Sequence, residues 1–249
     1  MTGDVRFELN GNLETLTDVD TTRTVLQYLR VDVLLTGSKE GCAEGDCGAC
    51  MVVVAELTDA DRALRYQAIN ACIQFLATLD GKELITVEAL SAPGAALHPV
   101  QQAMVDCHGS QCGFCTPGFV MTLFAMYKSS PSGNRVDNDD ALAGNLCRCT
   151  GYRPIVDAAV KMYDYGARAE DSRIAQGYSG TGVRAAQQEQ AAIDQLRALR
   201  RDETLATGQG DRRYFAPETV EARVAVRAKH PDACILAGGT DVGLWVTKL

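Results

Sequence analysis

Nowhere do the 249 residues assemble an apolar run approaching the ~18 residues of a membrane span, so a membrane-crossing helix is excluded. A basic surplus is missing too. Lys and Arg number 24 against 32 Asp and Glu, and the formal net charge of −8 has the wrong sign for a nucleic-acid partner. The opening residues, MTGDVRFELNGNLETL, carry neither the basic start nor the apolar core of a secretory leader. Histidine is scarce: His98, His108 and His230 are not spaced with the cysteines as a Rieske centre requires. These absences lead us to expect a cytoplasmic chain, unless a partner bearing an export signal carries it out.

Cysteine is what the chain has in quantity. Ten cysteines in a reducing compartment read as metal or redox ligands rather than as disulfide staples. Hydrophobic residues at 46% and charged residues at 22% are those of an ordinary globular chain, long enough for one large domain or two smaller ones.

Hydrophobic patterning divides the chain into four parts. In residues 1–90, Val5, Phe7 and Leu9 alternate before a Gly-Asn turn, as in a hairpin. Thr22 is a candidate N-cap for a short helix bearing Val25, Leu26 and Leu29. MVVVAEL (51–57) reads as a buried strand, YQAINACIQFL (66–76) as either strand or helix, and LITVEAL (84–90) as strand. Residues 91–165 carry four helix-compatible segments separated by Pro, Gly, Ser and Asn. Residues 166–211 turn polar and read as a surface-crossing linker with one helix near 185–201. From 212 to 249 a helix near Pro217–Lys229 precedes a short strand, CILA, and the sequence GGTD. The expected fold class is α+β: a small sheet domain, an all-α four-helix domain, a linker, and the beginning of a further α+β domain.

Cys42, Cys47 and Cys50 lie within GCAEGDCGAC, and Cys72 follows. This C-x4-C-x2-C…C spacing is that of a plant-type [2Fe–2S] site. Four thiolates leave a negatively charged cluster that needs backbone N–H donors turned toward its sulfurs, and Gly41, Gly45 and Gly48 allow such a loop. Structural zinc, which draws its ligands as two separated pairs, is the weaker alternative. Cys112 and Cys115 (QCGFC) with Cys147 and Cys149 (CRC) form a second set. Residues two apart cannot share one helical face, so the C-x-C pair belongs in a bent loop. Cys112 and Cys115 are expected to face inward from the first turn of a helix that Pro117 helps start. On spacing alone zinc stays a serious competitor here. Cys107 and Cys234 complete neither set and read as structural, Cys234 within the CILA strand.

The motifs GCxxGxCGAC and QCGFCTPG…NLCRCTGYRP, in that order, resemble the iron–sulfur part of the xanthine oxidase family of molybdenum hydroxylases, over residues 4–165. That resemblance implies a β-grasp ferredoxin-like domain holding one [2Fe–2S] cluster on Cys42, Cys47, Cys50 and Cys72. It implies a helical domain holding a second on Cys112, Cys115, Cys147 and Cys149. It further implies that Gln111 and Cys149 meet the pterin of a molybdenum cofactor carried by a partner subunit. ILAGGTDVG, covering Ile235, Leu236, Ala237, Gly238, Gly239, Thr240, Asp241 and Val242, resembles the first pyrophosphate loop of the family's FAD-binding (PCMH-type) domain. Consecutive glycines there would let backbone approach a phosphate closely. Only part of that FAD site would be present in this chain.

The order iron–sulfur, linker, FAD loop is similar to the small subunit of bacterial xanthine dehydrogenase. Such a subunit would pass electrons from molybdenum through two clusters to FAD and on to NAD+, in an (αβ)2 assembly oxidising hypoxanthine and xanthine to urate. No residue here would act as an acid or base on substrate. An aldehyde, N-heterocycle or acyl-CoA oxidoreductase, and a stand-alone ferredoxin-like carrier, are the competing expectations.

Overall fold

The structure, a computed structural model, describes residues 3–58, 63–91, 96–129, 135–168 and 183–248. Strands β1 (Val5–Leu9) and β2 (Asn12–Leu16) form a hairpin through Asn10 and Gly11, both at positive φ (53° and 77°), as a two-residue turn requires. Strands β3 (Met51–Leu57), β4 (Leu64–Asn70) and β5 (Glu83–Ile85) complete a five-stranded sheet of order β2-β1-β5-β3-β4. The central β1–β5 pair is parallel and the others antiparallel. YQAINACIQFL therefore resolves into the end of β4, a turn at Cys72 and a 3-10 turn, Leu76–Leu79.

β3 is apolar without alternation because both its faces are covered. Val52 and Val54 join Val5, Phe7, Leu9 and Leu29 in one core, while Val53 and Ala55 face a second core built with the helices. The short helix α1 (Val25–Gln27), continued by one π-turn to Asp32, crosses the first core. Its cap is Thr24 rather than Thr22. The Thr24 hydroxyl accepts from Gln27 N–H and the Gln27 amide returns the bond, a reciprocal box that Thr22 cannot build because its own groups bond to Asp20.

Four helices follow: α2 (Pro99–Asp106), α3 (Thr116–Ser129), α4 (Arg135–Leu142) and α5 (Arg153–Lys161). α3 is buried continuously from Gly118 to Ala125, packed between β3 and the other helices, which is why its sequence is apolar all round. His98 caps α2. Its Nδ1 accepts from Val100 N–H, and its fully buried ring meets Phe124 and Tyr127 edge-on at 5.2 Å each.

Within the stretch expected as linker, residues 169–182 lie outside the described residues. Helix α6 (Val183–Leu199) buries Ile193, Leu196 and Leu199 in the second core. The Lys128–Glu189 pair (2.8 Å) and the two-pronged Arg201–Asp80 pair (2.6 and 3.0 Å) tie this crossing to both domains. A hairpin of β6 (Leu205–Gln209) and β7 (Arg212–Ala216) straddles the expected boundary at 211 and inserts Leu205 into the first core. Helix α7 (Val220–Lys229) is capped by Thr219, and α8 (Val242–Thr247) ends the described chain. The CILA segment is not a strand: it has no pairing partner among the described residues, and Ile235 and Cys234 are exposed. An apolar strand without a neighbour to bond has nothing to hold it extended.

Candidate iron–sulfur centres

The loop between α1 and β3 turns its backbone inward, as the glycines suggested. Gly45 and Gly48 stand at φ 85° and 70°, with Ala43 also left-handed at 56°. Glu44 N–H donates to the Cys42 sulfur at 3.4 Å, and the N–H groups of Asp46 and Cys47 point at the same atom. Burial pushes the Cys42 thiol up, but these donors outweigh it and hold it at about 7. Asn70, at the end of β4, fixes the loop from the sheet side by donating to the Gly45 carbonyl at 2.9 Å.

The four sulfurs meet as two couples. Cys42 hydrogen-bonds with Cys47, and Cys72 with Cys50. The hydrogen bond from Cys72 lowers Cys50 against its burial, and the same bond, with burial, raises Cys72.

The second set repeats the pattern. Cys112 couples with Cys149, and Cys115 with Cys147. Cys112 lies in the loop before α3, while Cys115 immediately precedes Thr116 and its carbonyl accepts from Phe119 N–H. The expectation that both face inward from the first helical turn is thus corrected: the helix starts after them, and Gly113 at φ 84° bends the chain between them. Burial and the Cys147 hydrogen bond push Cys115 up to about 12. Burial raises Cys147, but the Thr150 hydroxyl (3.1 Å), the Thr150 and Cys149 N–H groups and the Cys115 thiol bring it below an ordinary thiol. Tyr152, at the strained φ of 68°, turns its hydroxyl back to accept from Cys147 N–H at 3.0 Å.

This donor set fits a binuclear cluster. Two thiolates per iron call for two couples, whereas a single zinc ion calls for convergence on one point.

The sites differ in setting. Cys50 and Cys72 are buried, whereas Cys112 and Cys149 lie at the surface beside exposed Gln111, Phe114, Leu146 and Tyr152. The glycine segment lies near the first set, not the second. Ala237 and Gly238 are exposed, Leu236 and Gly239 half-buried, and together they border an open cleft of about 420 Å³ shared with Arg65, Lys82 and Tyr214. Thr240 is exposed, as is Asp241, whose carboxylate accepts from Trp245 Nε1 at 3.3 Å; Val242 is half-buried. Sequence reading missed the residues that join these parts: Asn70, Gly118, Asn145 and Ile73. Gly118 stands inside the CTPG motif, where its lack of a side chain was the available sign.

Two four-thiol loops on a ferredoxin-like sheet and a helical bundle define a two-centre iron–sulfur protein. Residues 7–76 match the 2Fe-2S iron-sulfur cluster binding domain and residues 86–160 the [2Fe-2S] binding domain. The chain is 33% identical to a xanthine dehydrogenase of Drosophila pseudoobscura pseudoobscura over 98% of its own length and 20% of that protein's. It is 43% identical to aldehyde oxidase 1 of Rattus norvegicus over 61% of its length and 11% of that protein's. Among solved structures, quinoline 2-oxidoreductase of Pseudomonas putida 86 superposes with a TM-score of 0.56 at 31% identity, covering 67% of this chain and 97% of that one. Aldehyde oxidoreductase of Desulfovibrio gigas gives 0.58 at 31% identity, covering 71% and 18%. The chain belongs to the xanthine oxidase family of molybdenum hydroxylases. It spans about a fifth of the length of the curated xanthine dehydrogenases it matches.

Proposed function

We propose that this chain is the electron-transfer part of a xanthine dehydrogenase, linking a molybdenum–pterin partner subunit to FAD and NAD+ within a cytoplasmic (αβ)2 enzyme. Cys42, Cys47, Cys50 and Cys72 would hold one [2Fe–2S] cluster, and Cys112, Cys115, Cys147 and Cys149 the other. When bound, each cluster takes up and returns one electron. The observation that carries the reading is the pairwise approach of both thiol sets inside loops that touch each other. The protein's own contribution is positional: backbone N–H groups on Cys42, Cys112 and Cys147 favour thiolates, and the two loops are joined by backbone and Asn145 hydrogen bonds.

Gln111 and Cys149 stand on an exposed, partly apolar face, which suits docking of the pterin-bearing subunit. The flavin assignment rests on Ile235–Val242. Its support is that a Cβ built on Gly238 meets nothing within 4 Å, leaving its backbone open to a phosphate. An aldehyde or N-heterocycle oxidoreductase is the second reading, favoured by the names of the solved relatives, an aldehyde oxidoreductase and a quinoline 2-oxidoreductase. Co-expression with a molybdenum-binding subunit from the same organism, followed by turnover of xanthine, quinoline and benzaldehyde with NAD+, separates the readings. Xanthine turnover alone supports the first; turnover of another substrate without xanthine overturns it.

A further inference from the structure

Ile73 directly follows Cys72 and is 5% exposed. Glycines press on it from two sides. A Cβ on Gly45, inside the Cys42–Cys47 loop, would stand 2.6 Å from Ile73 Cδ1. From the opposite end of the sequence, a Cβ on Gly239 would stand 2.9 Å from the Ile73 carbonyl oxygen. One on Gly243 would stand 2.7 Å from that oxygen and 2.9 Å from Ile73 Cβ.

Gly239 and Gly243 do not have positive φ, so their backbone would accept any side chain. The demand for glycine at both positions therefore comes from the contact with Ile73. Seated this way, α8 sets Leu244 against the apolar cluster that contains Cys50 and Cys72. It also carries Lys248 to the Cys42 carbonyl (3.2 Å) and to the Glu44 carboxylate (3.2 Å). The segment thus spans the cysteine loop from its Cys72 end to its Cys42 end.

We propose that Ile73 is a positioning residue for the first cluster: its side chain braces Gly45, and its carbonyl seats Gly239 and Gly243, so that Gly239–Lys248 lies across the Cys42–Cys50 loop and keeps water and small reagents from its sulfurs. The proposal rests on the assignment of a cluster to Cys42, Cys47, Cys50 and Cys72. N–H···S bonds hold only while the loop backbone is held, so loosening the seat should expose and weaken this centre and leave the other unchanged.

The test uses the iron-loaded chain, reduced with dithionite, with bathophenanthroline disulfonate as the iron-capturing probe. Loss of each cluster's paramagnetic signal is followed in the same sample, the second cluster serving as internal control. Gly239→Ala and Gly243→Ala should each speed loss of the first signal several-fold and leave the second at the wild-type rate. Ile73→Ala, which keeps the backbone carbonyl but withdraws the side chain from Gly45, should act likewise, and Ile73→Val, which loses only Cδ1, the atom nearest Gly45, should give a smaller acceleration of the same signal. Lys248→Gln, which introduces no clash, should give a smaller acceleration confined to the first signal, and serves if the glycine variants do not fold. Equal rates in all variants would overturn the proposal, as would parallel acceleration of both signals. A wild-type chain lacking the first signal would instead overturn the cluster assignment beneath it.

Discussion

Leu146 donates its backbone N–H to the carbonyl oxygen of Cys47 at 2.9 Å, joining the residue before Cys147 to a cysteine of the other loop. Around this bond the two loops are in full contact. Asn145, 2% exposed, donates to the Gly48 carbonyl at 3.3 Å and accepts from Thr122 at 2.8 Å. A Cβ on Gly118 would stand 2.1 Å from the Gly48 oxygen. An electron crossing between the centres thus has packed backbone and hydrogen bonds to cross. Gly118→Ala must push α3 off the first loop, at a cost of about 1–3 kcal/mol or more. The variant should keep its iron but exchange electrons between the clusters more slowly, read by stepwise reduction with both signals monitored. Wild-type exchange would show that this contact does not carry the transfer.

Ligand variants separate the centres. Native chain should contain about four irons and little zinc, as two binuclear clusters require. Cys72→Ser should lower iron to about half and remove one paramagnetic signal; Cys147→Ser should remove the other. Stoichiometric zinc replacing one iron pair would overturn the second assignment, for which spacing alone left zinc a serious competitor.

What could be read in advance depended on how local the determinant was. Cysteine spacing and the unbroken apolar run of β3 are visible in a few consecutive residues; the hairpin is too, but its turn falls on Asn10–Gly11 rather than on the expected Gly-Asn pair, because Asn12 already pairs with Leu9 as the first residue of β2. The CILA segment failed because a strand is defined by a partner, and residues 234–237 have none among the described residues. The Thr24 cap failed for a nearer reason: Thr22 and Thr24 look alike, and the choice depends on Gln27 reaching back and Asp20 occupying Thr22. Ile73, Asn145 and Gly118 were illegible because their roles arise across long sequence separations. A glycine needed for close approach looks like any other until the chain folds.

Gln111 is exposed, and its substitution should not disturb the fold. Gln111→Ala is expected to leave iron content, both signals and thermal stability unchanged, within about 0.5 kcal/mol. In the assembled enzyme it should slow reduction of the clusters by substrate, because the amide can both donate to and accept from a pterin edge. Loss of the helical-domain signal would reassign Gln111 as a structural residue.

Gly238 and Gly239 should behave differently although they are neighbours. A Cβ at Gly238 meets nothing within 4 Å, so Gly238→Val should be silent for iron retention. In the flavin-containing enzyme the same variant should abolish FAD binding by blocking backbone approach to the pyrophosphate. Flavin content against iron content is the measurement. Full flavin retention by Gly238→Val would mean the phosphate loop lies elsewhere.

His98 makes stability depend on pH. Its ring is fully buried, Nδ1 accepts from Val100 N–H, and Nε2 is buried with no hydrogen-bond partner among the described residues. Burial, with the Lys128 ammonium adding to it, holds the imidazole down at about 3, well below an ordinary histidine. The sign follows from which state binds the proton. Between the unfolded value near 6.5 and the folded value near 3, the unfolded chain is protonated and the folded chain is not. The contribution is therefore complete above about pH 6.5 and is lost progressively as pH falls toward 3. At pH 5 the loss should be about 2 kcal/mol, since each unit below the unfolded value costs about 1.4 kcal/mol. His98→Asn keeps a capping acceptor but removes the titrating ring. It should be less stable than wild type at pH 7 through lost packing on Phe124 and Tyr127, yet its melting temperature should fall less between pH 7 and pH 5. Measured anaerobically on iron-loaded protein, acid effects on the clusters are common to both chains and cancel in the comparison. An equal fall in the two would show that His98 already takes up its proton within the folded protein.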